Sequence, residues 1–179
     1  MRLDVPYTSQ YLDIADPYWK DRSCSVACLR MVLSMRGDVP TLETLVLEGK
    51  DKYGYDPSRG WTHKAIVSLF SDYGILAQSR EFKEEGLFEK GVEEIVNSLD
   101  QGNPVLISAV KNFQEEKKFH TVLFVGYEKD TKGEVSGFYY HDPAFDDREK
   151  GQNLFVPFET FKKYWRRMAI FLFIGKGGG

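Results

Sequence analysis

Ser23-Cys24-Ser25-Val26-Ala27-Cys28-Leu29-Arg30-Met31-Val32-Leu33-Ser34-Met35-Arg36, stopped by Gly37, reads as a helix with apolar residues on nearly every side. Such a helix belongs at the centre of a fold. Asp21 or Ser23 can cap its start, and Gly37 suits the position just past its end. Upstream, residues 5–21 read as irregular, with Pro6 and Pro17 among acidic residues. Downstream, a short helix runs from Thr41 to Glu48 and ends at Gly49, followed by a loop over 50–60. A third helix is capped by Thr62, carries Ala65, Ile66, Leu69, Phe70 and Tyr73 on one face, and closes at Gly74. A fourth carries Val92, Ile95, Val96 and Leu99 and ends at Gly102. The period then changes. Pro104 to Val110, His120 to Tyr127, Val135 to Asp142 and Leu154 to Pro157 read as strands, then a helix over Phe158 to Arg167 and a strand over Met168 to Ile174. Helices first and an antiparallel sheet afterwards predict an α+β domain over 1–174, with the Gly-rich 175–179 as a flexible tail.

The chain has 179 residues and a formal charge of -3. Its 42% hydrophobic and 15% aromatic content separates it from disordered chains. The acidic balance argues against a nucleic-acid partner. Lys162, Lys163, Arg166 and Arg167 stand at helical spacing and read as one solvated helix face. Ala169 to Ile174 is too short an apolar run for membrane insertion. No signal peptide is visible, and the expectation is a cytoplasmic protein, or a secreted one if the chain is trimmed from a precursor.

Cys24 and Cys28 are the two thiols, one helical turn apart, a poor geometry for a disulfide. Their spacing and the scattered His63, His120 and His141 predict no metal site. Cys24 lies in the first helical turn, where unpaired N–H groups and the positive end of the dipole favour a thiolate. Lowering a thiol by two pH units needs about 2.7 kcal/mol. A helix terminus typically supplies about 0.3–1 kcal/mol, so a cation must supply the rest. Cys24 is therefore read as the reactive thiol and Cys28 as packing. If the hairpin turn is centred on Thr131, His120 falls directly opposite Asp142, close enough for the carboxylate to hold the imidazole. The hairpin alone leaves two readings: a base oriented by a carboxylate, or a strand-end histidine bonded to backbone. His141 should point to the other side of the sheet, and His63, at a helix start, is disfavoured as a cation.

Several of these residues together resemble a known family. Val5-Pro6-Tyr7-Thr8-Ser9-Gln10 followed by Cys24 to Leu33, then Gly102 to Ile107, His120-Thr-Val-Leu-Phe-Val-Gly126-Tyr127 and Tyr140-His141-Asp142-Pro143, are similar in content and order to C39-like cysteine peptidases. The resemblance implies a papain-like fold in a bacterial thiol hydrolase that needs no cofactor. Cys24 would be the nucleophile, His120 the general base and acid, and Asp142 its orienting carboxylate. Gln10, with the Cys24 backbone N–H, would stabilise the oxyanion. Ser25 stands where the family usually has glycine, and 11–22 is longer than in many members. The expectation is a stand-alone relative rather than a leader-peptide exporter with ATPase and membrane domains.

The expected activity is hydrolysis of a peptide or other amide bond through a thioester. Trp61, Trp19 and Ser25 are candidate substrate contacts, with Tyr7 and Tyr11 as further cleft aromatics. Two alternatives remain on the sequence: an acyltransferase or transglutaminase-like enzyme using the same residues, and a peptide-binding module that no longer catalyses.

Overall fold

The computed structural model describes residues 1–174; the tail expected to be flexible lies outside them. Seven α-helices and six strands follow in the order α1 (Pro17–Lys20), α2 (Cys24–Ser34), α3 (Leu42–Tyr53), α4 (His63–Asp72), β1 (Leu76–Glu81), α5 (Leu87–Asp100), β2 (Val105–Val110), β3 (Phe119–Lys129), β4 (Val135–His141), α6 (Arg148–Gly151), β5 (Leu154–Pro157), α7 (Phe158–Tyr164) and β6 (Trp165–Phe173). The strands form one antiparallel sheet in the order β1-β6-β2-β3-β4-β5. The architecture is α+β, as the sequence implies.

Both faces of the sheet are covered. On one, α2 packs with α3 and α4 over Leu106, Leu123, Val125, Ile170 and Leu172. On the other, Ile95 and Leu99 of α5 and Phe161 of α7 cover Ile107, Val122, Phe124 and Phe138. This double cover explains why β2 is buried almost continuously along its length rather than at alternate positions. It also explains why α2 is apolar on nearly all sides, with Val26, Leu29, Met31 and Val32 fully buried.

Several boundaries differ from the sequence reading. Ser23 precedes α2 but makes no side-chain cap bond. Residues 17–20 of the supposed irregular stretch form a helical turn with Asp16 accepting from Tyr18 N–H. Gly49 does not stop α3, which runs on to Gly54 at φ +83°. A Cβ at Gly49 would stand 3.1 Å from the Trp61 ring, so this glycine serves close packing. The edge strand β1 carries no apolar alternation, and the sequence reading missed it. The final helix ends at Tyr164 rather than Arg167, and Trp165 already pairs with Ala109 of β2. The four basic residues read as one helix face are thus divided between α7 and β6.

Candidate active site

Cys24 opens α2, half-buried, and β3 brings His120 and Thr121 against it. His120 is buried, and its Nε2 lies 2.6 Å from Asp142 Oδ1. The imidazole also faces the Cys24 sulfur closely enough for each group to favour the charged form of the other. With Nε2 engaged by the carboxylate, Nδ1 is the ring nitrogen left for sulfur. Asp142 is itself held: Oδ1 accepts the Ala144 N–H at 2.8 Å, its own N–H donates to Gly151 O, and its carbonyl accepts the Tyr7 hydroxyl.

His120 and Asp142 meet by a different register from the one expected. The β3–β4 turn is centred on residue 132, because Lys129 pairs with Val135. Two bulges then offset one another, and Leu123 pairs with His141. Continuing that pairing sets Asp142 across from Val122, so His120 is reached diagonally. A two-residue offset preserves side-chain parity, which is why the shared face survives the wrong register.

Burial works against a charged sulfur, yet it is outweighed. The His120 hydrogen bond and charge, the Thr121 backbone N–H and the Ser25 hydroxyl hold the Cys24 thiol down at about 7. Burial likewise works against a charged imidazole, and the Asp142 and Cys24 contacts overcome it, pushing His120 up to about 10. The two groups therefore favour thiolate and imidazolium. Cys28 behaves oppositely: burial, then the neighbouring Cys24 and Asp142 charges, push its thiol up, and its sulfur donates to Thr121 O at 3.6 Å.

Ser25 Oγ lies 2.8 Å from Thr121 Oγ1 and 4.0 Å from the Cys24 sulfur. Replacing Ser25 by alanine is expected to raise the pH midpoint of Cys24 alkylation by about half a pH unit, since one contact that favours the thiolate is lost. An unchanged midpoint would show that Ser25 is packing alone.

Gln10 is buried and does not line the cleft. Its backbone N–H donates to Pro143 O at 2.8 Å and its Nε2 to Lys20 O at 2.6 Å, leaving one amide hydrogen uncommitted. Trp61 lines the cleft and is fixed by its Nε1–H donating to Arg22 O. Trp19 does not line it; it is buried behind Trp61 and Tyr55. Tyr7 and Tyr11 also lie outside the cleft wall, bonded to Asp142 O and Asp21 respectively. His141 turns away, with Asn153 N–H donating to Nδ1 and Nε2 bonded to Val5 O, and burial favours its neutral form. His63 bonds Ser79 and is held neutral by burial and by Arg166. Among the described residues, no group of three or more His, Cys, Asp or Glu gathers to hold a metal ion, and no helix is long and apolar enough to cross a membrane.

The cleft beside Cys24 and His120 has a volume of about 400 Å³. Sequence reasoning missed Thr121, whose backbone, carbonyl and side chain touch Cys24, Cys28 and Ser25. Its adjacency to His120 on a strand was the one signal, since neighbours on a strand face opposite ways.

Solved structures share this architecture. A Bacillus anthracis protein assigned as a C39-like peptidase superposes with a TM-score of 0.67 at 20% identity, over 96% of this chain and 95% of that one. A double-glycine-motif protease from an AMS/PCAT transporter, in complex with the leader peptide, gives 0.62 at 19% identity over 96% and 92%. The peptidase domain of Streptococcus ComA gives 0.60 at 18% identity over 85% and 91%. These likenesses establish the fold as that of C39 papain-like peptidase domains. No curated protein matches the chain at a significant level. The Peptidase_C39 like family matches residues 2–170, and with nearly its whole length accounted for, the chain belongs to that family.

Proposed function

We propose that the protein is a cysteine peptidase that cleaves a peptide or related amide bond through a Cys24 thioester. The observation that carries this reading is the 2.6 Å His120–Asp142 contact beside a thiol held at about 7. The Cys24 thiolate attacks the substrate carbonyl carbon, and the oxyanion is met by the Cys24 backbone N–H, with Gln10, outside the cleft lining but with one amide hydrogen uncommitted, as the proposed second donor. Collapse breaks the C–N bond as His120 gives its proton to the departing amine. His120 then takes a proton from water, whose oxygen attacks the thioester and expels the sulfur as thiolate, restoring the thiolate–imidazolium pair and releasing a carboxylic acid that gives its proton to solvent. Asp142 orients the ring and stabilises its cationic form throughout. The leader peptide in the complex of the double-glycine-motif protease supports a peptide as the substrate class.

The pH dependence follows from the two groups. The thiolate forms as pH rises through about 7, and the imidazolium loses its proton as pH rises through about 10. Turnover should therefore rise near pH 7 and fall near pH 10. The experiment is digestion of a defined peptide library with mass-spectrometric detection of products, with and without added amine. Hydrolysed products with this profile support the peptidase. Products carrying the amine would replace hydrolysis by acyl transfer. Absence of any covalent acyl-enzyme or product from a library that nevertheless binds would replace catalysis by peptide binding.

A further inference from the structure

Away from the sulfur, the cleft wall has a charge pattern opposite to that of the chain. The protein carries a formal charge of -3, yet Arg22, Arg59 and Arg166 line the cleft against the single carboxylate of Asp21. Arg166 is there because of a defect in the sheet. Ala109 of β2 pairs with Trp165 and Ser108 pairs with Met168, so Arg166 and Arg167 are extra residues on β6. Arg167 takes φ +58° and stacks over Phe88, 4.1 Å from the ring centroid. Arg166 is sent the other way, into the cleft, as bulges commonly redirect side chains.

The Arg166 guanidinium lies 3.5 Å from the Phe119 ring centroid, and Nη1 donates to Ser108 Oγ at 3.1 Å. No carboxylate lies within ion-pairing distance of Arg166 or Arg22 among the described residues. Burial opposes the Arg166 charge, and nothing anionic offsets it. Arg59 has only a loose contact with Asp56, 4.0 Å away on its own loop. The Phe119 ring and the Ser108 hydroxyl hold the guanidinium while leaving most of its five N–H donors free, an arrangement suited to a planar carboxylate.

We propose that this wall, led by Arg166 and joined by Arg59, is a carboxylate-binding subsite and that the preferred substrate presents an acidic side chain or a chain-terminal carboxylate near the scissile bond. The proposal rests on the peptidase reading for the bond that is cut, but its test does not require turnover. Cys24 is alkylated in parallel by iodoacetate and iodoacetamide; in both, the thiolate displaces iodide from carbon, and only the reagent charge differs. The iodoacetate-to-iodoacetamide rate ratio in wild type is expected to fall about threefold in Arg166→Gln and in Arg59→Gln, and about tenfold in the double variant. Arg166→Lys should retain part of the preference, and added salt should reduce it in wild type.

Arg59, with a side chain 84% exposed, can be changed without disturbing packing, so its variant stands if Arg166→Gln fails to fold. Protection of Cys24 from iodoacetamide identifies the source of the carboxylate. Acetyl-Gly-Glu-Gly-amide and acetyl-Gly-Gly-Gly free acid are compared with acetyl-Gly-Gln-Gly-amide. Protection by either acid beyond the Gln peptide supports the subsite and shows which carboxylate it takes. A rate ratio unchanged across the variants, with Cys24 still fast, overturns the subsite alone. A Cys24 slow to both reagents in every protein overturns the peptidase reading itself.

Discussion

Replacing His120 by alanine is expected to slow iodoacetamide alkylation of Cys24 at pH 6 by about a hundredfold. A thiol held at about 7 is roughly one-tenth ionised at that pH. Without His120, the largest influence remaining is burial, which returns the sulfur to the ordinary thiol range or above. Asp142→Ala should fall between wild type and His120→Ala, because the imidazole remains but loses the contact that favours its cation. Alkylation of each cysteine from pH 4 to 10, read by mass spectrometry, checks both variants. Cys28 serves as an internal control, since it is buried and its thiol is pushed upward. Coincident Cys24 profiles for wild type and His120→Ala would sink the thiolate–imidazolium pair.

Gly151→Ala should be the most damaging single-methyl addition near the site. A Cβ there would overlap the Tyr7 hydroxyl and ring and stand 2.9 Å from Asp142 O. Those same atoms secure Asp142, whose carbonyl accepts from Tyr7 and whose N–H donates to Gly151 O. Relief must come from moving Tyr7 or the Asp142 backbone, and either move disturbs the His120 contact. The expected cost is about 1–3 kcal/mol, the range for forced overpacking, accompanied by slower Cys24 alkylation below pH 7. Thermal unfolding and the alkylation profile measure the two effects together. Tyr7→Phe removes the nearest hydroxyl, so the double variant should be less unstable than the two single effects combined. Simple additivity would show that Tyr7 is not what the methyl meets.

The parts of this site legible in the sequence were those fixed by short-range rules. An all-apolar helical run is enough to place α2 at the centre, and side-chain parity is enough to put His120 and Asp142 on one face. Parity tolerates an even register error, which is why the displaced turn did no harm. Features depending on long-range packing were not legible. Arg166 shares helical spacing with Lys162, and only its pairing partners on β2 reveal the bulge that turns it into the cleft. Trp19 and Trp61 are alike as residues, and their opposite fates follow from which ring lies behind the other. Gly49 could not be told from a helix stop because Trp61, the ring it accommodates, lies twelve positions away. The edge strand β1 has a single buried side chain, Ala77, and so no hydrophobic signal of its own.

The contact between the first turn of α2 and β3 joins residues 96 positions apart, through Ser25 and Thr121. Local structure in either segment supplies little toward lowering the Cys24 thiol; the influences that lower it come mostly from across that span. A contact of such sequence separation forms only once the intervening chain has closed, at an entropic cost that slows folding. Reactivity is therefore a late property of the folded chain. While it is being synthesised, or when it opens under stress, the protein carries a chemically quiet thiol. On the proposed peptidase reading, the topology acts as a safety catch, arming the Cys24 thiol only after the sheet that carries His120 is complete.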